Sequence, residues 1–244
     1  MAIFNLWNKA AKKTERPFCT AVIVAAGSAS RMQGLDKIMT DLDGEPVICR
    51  TIRVFQCCDA VHAIVVVTRE DLTAPIRSLC KQNGFDKVCA VTVGGATRTA
   101  SVMKGLDCAP KDTVLAAIHD GARPLVPAQV VQNTIEKAAR TGAAAPCIPV
   151  KDTIKIAERS VIRETPSRDT LFAVQTPQVF DFDLLRGALQ KALDTNTVVT
   201  DDCSAVEALG MKVHLTEGSE ENIKITTPLD LLLAHAIIER RDKP

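Results

Sequence analysis

Short apolar runs rich in β-branched residues alternate with longer runs that carry one apolar stripe at helical spacing, almost to the end of the chain. Residues 20–25, 63–68, 87–93, 113–119 and 143–150 read as strands, and 46–58, 71–83, 97–108 and 127–141 as the helices between them. A strand that is apolar on both faces and followed by a helix belongs in a parallel sheet covered on both sides. The pattern therefore predicts an α/β, Rossmann-like fold: a mostly parallel sheet with helices on both faces. The alternation breaks at 151–175, where apolar residues (Ile154, Ile156, Val161, Ile162) stand among polar ones without a helical stripe. This predicts an inserted β-arm that projects and needs a partner surface. Helices at 182–193 and 202–208, strands at 212–216 and 222–225, and a closing helix at 228–240 complete the expectation. No internal repeat or low-complexity linker divides the chain, so 19–244 reads as one domain.

Residues 1–18 stand apart. Ile3, Phe4, Leu6, Trp7, Ala10 and Ala11 recur at helical spacing between lysines, which fits a short helix on a membrane surface or a partner. It fits equally an extension ahead of the first strand, the reading we adopt. There is no secretory h-region or cleavage pattern.

Composition narrows the picture. Of 244 residues, 46% are hydrophobic and 24% charged, so a buried core is expected. A net charge of +1 and an aromatic content of 3%, with no Tyr, give no footprint for nucleic acid. No run is long and apolar enough to span a bilayer. Nine cysteines, without a C-x-x-C pair or zinc spacing, point to reduced thiols in the cytoplasm.

Ligands of open α/β sheets bind beyond the carboxyl ends of the strands. Three segments follow strands here and should share one rim. The first is AAGSASR, where small residues from Ala25 to Ser30 let a phosphate approach backbone N–H groups, with Arg31 and Lys37 beyond. It matches neither the dinucleotide fingerprint nor the Walker pattern. The second is VGGATRTASVMKG, Val93 to Gly105. The third is HDGARP, where Asp120 ends an apolar strand and can bind a metal or a hydroxyl, or pair with Arg123. Lys224, between Ile223 and Ile225, must point to solvent, a cleft or an anion.

Taken in order, AAG-x₃-R-M…DK, GGATR-x₂-S, HD-x-ARP, DT-I-K, QTPQ-F, TDD-x-SA-x-E and ENIKIT-x-P-x-DL-x-LA resemble the 2-C-methyl-D-erythritol 4-phosphate cytidylyltransferase family from residue 20 to 239. The resemblance implies a reaction of CTP with a sugar-alcohol phosphate in isoprenoid precursor synthesis, with Mg²⁺ or another divalent cation, in a homodimer joined through the arm. Cytidylyltransferases for polyol phosphates such as ribitol 5-phosphate look similar, and a nucleotide-binding protein without activity is the remaining alternative.

The roles carried over by the resemblance are these. Ala25, Ala26, Gly27 and Ala29 wrap the CTP phosphates, and Gly95, Ala96 and Ser101 line the base and ribose. Arg31, Lys37, Arg168 and Lys224 are catalytic. Asp120 and Gly121 lie on the CTP side, and Mg²⁺ rests mainly on CTP phosphates, with Asp120 available. Asp120, Arg123, Thr176 and Lys224 hold the acceptor, joined by Thr153 and Arg168 from the partner's arm. The chain departs from the family pattern at Ala29, at Gly121 and at Asp36, whose charge is expected to weaken the positive field beside Lys37.

Overall fold

The computed structural model describes residues 16–27 and 36–243. The extension up to residue 15, and with it Ala29 and Arg31 of the first loop, lies outside the described residues.

The central sheet is built on β1 (Cys19–Ala25), β4 (Ala63–Thr68), β5 (Val88–Val93), β6 (Leu115–Asp120), β7 (Ala143–Pro149), β10 (Phe172–Val174), β11 (Gln178–Asp181) and β12 (His214–Glu217). Its order is β10-β7-β11-β6-β1-β4-β5, with β12 also on β7. The β1–β4, β1–β6, β4–β5 and β7–β12 pairs are parallel, whereas β10 and β11 run antiparallel to their neighbours.

Alternation along the strands divides the interior in two. Cys19, Ala21, Ile23 and Ala25 of β1 enter one core with Ile64 and Val66 of β4 and Leu115 and Ala117 of β6. Val22, Val65, Val67, Ala116 and Ile118 enter the other. The first core is closed by α1 (Val47–Gln56), α2 (Glu70–Gln82) and α4 (Ala128–Thr141). The second is closed by α3 (Arg98–Asp107), α5 (Phe182–Asp194) and α6 (Asp202–Glu207). Gly105 explains how closely α3 sits: a Cβ there would lie 2.4 Å from Val22 Cγ1 and 2.8 Å from Val67 Cγ2. A mid-helix glycine costs about 1 kcal/mol relative to alanine. Here it lets the helix rest on β1 and β4 and brings its N-terminus to the strand ends. A third cluster seats α7 (Pro228–Asp242) on Leu42, Val47, Leu125 and Ile225.

Three elements differ from the sequence expectation. Residues 222–225 form no ladder. Asn222 is tied by its side chain to Gln175 and Thr176, and Ile225 N donates to the Ala122 carbonyl, so local anchors replace strand pairing. β11 was not expected: four residues after a proline give too short a pattern, yet it fills the gap between β6 and β7. The small hairpin β2 (Asp41–Leu42) and β3 (Glu45–Pro46) also has no periodicity to announce it. In the 151–175 segment, β8 (Ile156–Glu158) and β9 (Val161–Glu164) form a separate exposed hairpin, and β10 returns to the main sheet.

Candidate active site

The chain runs outward from β1 to β4 and β5, then crosses back to β6 on the other side of β1. That reversal opens a crevice at the strands' carboxyl ends. A cavity of about 460 Å³ lies there, lined by Ala25 at the end of β1, Ala26 and Gly27 beyond it, Gly95 and Ala96 after β5, Arg98 at the start of α3, Asp120 at the end of β6, and Lys37, Ser101 and Lys224. The three loops thus share one rim, as the sequence suggested. A larger groove of about 750 Å³ lies at the β5 edge, lined by Arg77, Lys81 and Phe85 among others, but it holds none of the expected site residues.

Small residues set the walls. A Cβ on Gly94 would meet Ala26 Cβ at 2.5 Å, so the first two loops touch through the missing side chain. Ser101, buried at the start of α3, accepts from Gly95 N at 3.0 Å and donates to the Thr97 carbonyl at 2.9 Å. Its hydroxyl shapes the Gly95 loop from within. Gly121 lies beneath the cavity, not on its lining: its carbonyl accepts from Thr51 Oγ1 at 2.9 Å, and a Cβ would crowd Ala25.

The charges converge on Asp120. Lys224 Nζ lies 2.9 Å from Asp120 Oδ2 and Arg123 Nε lies 3.4 Å from the same oxygen. Burial alone would raise the Asp120 pKa, but Lys224, Arg98 and Arg123 outweigh it and hold the carboxyl down at about 2. Arg123 is fixed by a 2.6 Å bond from Nη1 to the Asn222 carbonyl. That bond and those from Asn222 to Gln175 and Thr176 hold the loop that delivers Lys224.

Arg98, the cation of the GGATR motif, is a lining residue to which the sequence assigns no role. Its Nη2 donates to Asp202 Oδ2 at 2.7 Å, and that carboxylate is fully buried. Asp202 is set by Gln178 of β11, whose Oε1 accepts from the N–H groups of Asp202 and Cys203 at 3.0 and 3.1 Å. The signal was a cation in the loop after β5. Its acidic partner, 104 residues away, could not be read from spacing.

Thr176 sits below Asp120, with its hydroxyl already engaged. It accepts from Asp120 N at 3.1 Å and lies 3.0 Å from His119 Nδ1. His119 Nε2 lies 3.1 Å from the Arg123 carbonyl, which can only accept. Nε2 therefore carries the proton, Nδ1 accepts, and Thr176 donates to it. Burial lowers the His119 pKa to about 4, so the ring is neutral at pH 7. A histidine depressed from about 6.5 binds its proton more readily when unfolded, so stability is full above pH ~6.5 and falls as pH drops toward the folded value. Between pH 6.5 and 5, denaturant titrations should show an acid slope approaching about 1.4 kcal/mol per pH unit that His119→Gln flattens. Equal slopes in both proteins would refute this role.

Thr153 and Arg168 are exposed on the arm and do not line the cavity; Arg168 Nη1 donates to the Lys151 carbonyl at 3.1 Å.

A model of the 2-C-methyl-D-erythritol 4-phosphate cytidylyltransferase family matches residues 19–240. The chain is 44% identical over 225 residues to the protein of that name from Desulforamulus reducens, covering 91% of this chain and 96% of the relative. It is 42% identical over 222 residues to that from Clostridium novyi, covering 90% and 96%. Among solved structures, 4-diphosphocytidyl-2C-methyl-D-erythritol synthase from Anaerococcus prevotii superposes with a TM-score of 0.82 at 30% identity, over 91% of this chain and 96% of that one.

Proposed function

The chain belongs to the 2-C-methyl-D-erythritol 4-phosphate cytidylyltransferase family, and from that premise we propose that the cavity at the β1–β6 crevice is where CTP meets the acceptor phosphate. The enzyme joins CTP and 2-C-methyl-D-erythritol 4-phosphate to give 4-CDP-2-C-methyl-D-erythritol and pyrophosphate, in isoprenoid precursor synthesis. The observation that carries the site assignment is the meeting of Lys37, Arg98, Asp120 and Lys224 with the backbone of Gly27 and Gly95 around one cavity.

An acceptor phosphate oxygen attacks the α-phosphorus of CTP, forming the new P–O bond as the bond to the leaving pyrophosphate breaks. A phosphomonoester is largely dianionic near pH 7, so no general base is required. Charge develops on equatorial and leaving oxygens, and fixed cations stabilise it. Lys37 and the Ala25–Gly27 backbone serve the triphosphate. Lys224 and Arg123, oriented by Asp120 and Asn222, serve the acceptor phosphate. Thr176 acts on this cluster from below, through Asp120 N.

Asp120 is the single carboxylate among the described residues lining the cavity, and these residues contain no cluster of three metal-ligating side chains. That donor set suits Mg²⁺, which is commonly held by one or two carboxylates together with substrate phosphates. The ion would supply charge neutralisation on the phosphate oxygens. The arm, with Ile156, Val161 and Ile162 exposed, would pack on a second copy and lend it Thr153 and Arg168. Nine free thiols, six of them buried, support a reducing cytoplasm, and no helix among the described residues is long and apolar enough to cross a membrane.

Pyrophosphate release from CTP and Mg²⁺ tests the assignment. It is expected with methylerythritol 4-phosphate and not with ribitol 5-phosphate. Release with the latter alone would move the acceptor assignment, and silence with both from a folded protein would remove the catalytic one.

A further inference from the structure

Asp36 poses an electrostatic problem. It places a carboxylate one residue from Lys37, a cation lining the cavity assigned to a triphosphate. Unpaired, that carboxylate would repel the incoming anion and offset the lysine's field.

It is not unpaired. Arg69 Nη2 donates to Asp36 Oδ2 at 2.6 Å. Arg69 stands at the junction of β4 and α2, where its own orientation is fixed by Asp71: Nε donates to Oδ1 at 3.1 Å and Nη2 to Oδ2 at 3.0 Å. A planar guanidinium fork holds such a geometry where an ammonium would not. The Asp36 and Arg69 side chains are 25% and 29% exposed, so the pair is partly shielded from solvent.

The same carboxylate anchors the turn. Asp36 Oδ1 accepts from Ile38 N at 3.1 Å, and the Asp36 carbonyl accepts from Met39 N at 3.0 Å and from Thr40 N and Oγ1 at 2.8 Å. Ile38 is 1% exposed in the core, and its carbonyl receives Ile48 N of α1 at 2.9 Å. Lys37 is therefore held between a residue tied to the β4–α2 junction and one buried against α1.

We infer that Arg69 is a positioning residue for the transfer reaction: it offsets the charge of Asp36 and, through Asp36, holds Lys37 on the lining of the CTP cavity. The inference rests on the cytidylyl-transfer assignment of that cavity. On this reading the departure from the family pattern at Asp36 arrives with a counter-charge.

A double-mutant cycle tests it. Arg69→Ala is expected to lower kcat/KM for CTP by roughly tenfold, chiefly through KM, and more at low ionic strength, where an uncovered carboxylate acts further. Asp36→Asn keeps the Oδ1 acceptor for Ile38 N and removes the charge. In the Arg69→Ala background it should restore kcat/KM to within about threefold of the unmodified protein. A residue that only braced the loop would leave the double variant as impaired as the single one, and an idle surface pair would leave Arg69→Ala unaffected; either result overturns the inference. If Arg69→Ala does not fold, as judged by its melting curve, Arg69→Gln enters the same cycle. CTP affinity by titration calorimetry runs in parallel, so that a protein releasing no pyrophosphate would sink the catalytic assignment while the pattern of CTP affinities still decides the role of Arg69.

Discussion

Lys224→Ala is expected to lower kcat/KM by about 10²-fold or more while leaving the fold intact, the scale lost when a fixed charge is removed from a phosphoryl-transfer site. The side chain is 39% exposed and reaches Asp120 from a loop without ladder bonds, so its removal leaves no cavity in either core. It does leave Asp120 with Arg123 at 3.4 Å as its nearest ion-pair partner. The Asp120 carboxyl, held at about 2 partly by Lys224, should titrate higher in the variant. The loss should fall mainly on the acceptor: KM for methylerythritol phosphate rises and kcat falls, with CTP affinity changed least. Lys224→Arg should recover part of the activity. Steady-state kinetics in both substrates, beside a melting curve, would decide. An active, folded Lys224→Ala protein would remove this lysine from the reaction centre.

The second large effect concerns the arm. Arg168→Ala should abolish most turnover although the residue is exposed and lines no cavity in its own chain. If it serves the site of a second copy, two inactive proteins should rescue each other. In a mixture of Arg168→Ala and Lys224→Ala chains, half the dimers are mixed, and each of those contains one site with both residues native. Activity should return to about a quarter of the unmodified level after subunit exchange, because a two-fold dimer has two equivalent sites. Absence of rescue, with exchange verified by mass, would return Arg168 to its own subunit or to no role.

Periodicity found the layers and brought the three loops to one rim. β1, β4 and β6 announce themselves because apolar residues occupy both faces along most of their length, and a central parallel strand under two helix layers buries both faces. The loops after β1, β5 and β6 were legible for the same reason: strand polarity alone sends them to one edge. What the sequence hid is what depends on distant partners. Nothing local to Arg98 points to Asp202, and nothing in Asn222 says that it will bond Gln175 and Thr176 instead of a neighbouring strand. The bonds of the Thr176 hydroxyl to Asp120 N and His119 are visible only once β6 and the 175–177 segment are adjacent. Arg31 was named from its motif and lies outside the described residues, so its role rests on the resemblance.

β11 also constrains how the molecule can come into being. In chain order β7 follows β6, but in space β11 separates them, pairing with β6 at Gln178–Asp181 and with β7 at Val179 and Phe180. A growing polypeptide that has released β7 therefore still has a β6 edge without its neighbour. Two hydrogen-bonding edges face an empty slot until about thirty further residues, the arm among them, have been made. Sheets closed late by a distant segment fold slowly and expose template edges meanwhile. The strands up to β7 thus lack the link between β6 and β7, and the short strand that escapes sequence analysis is the one that supplies it.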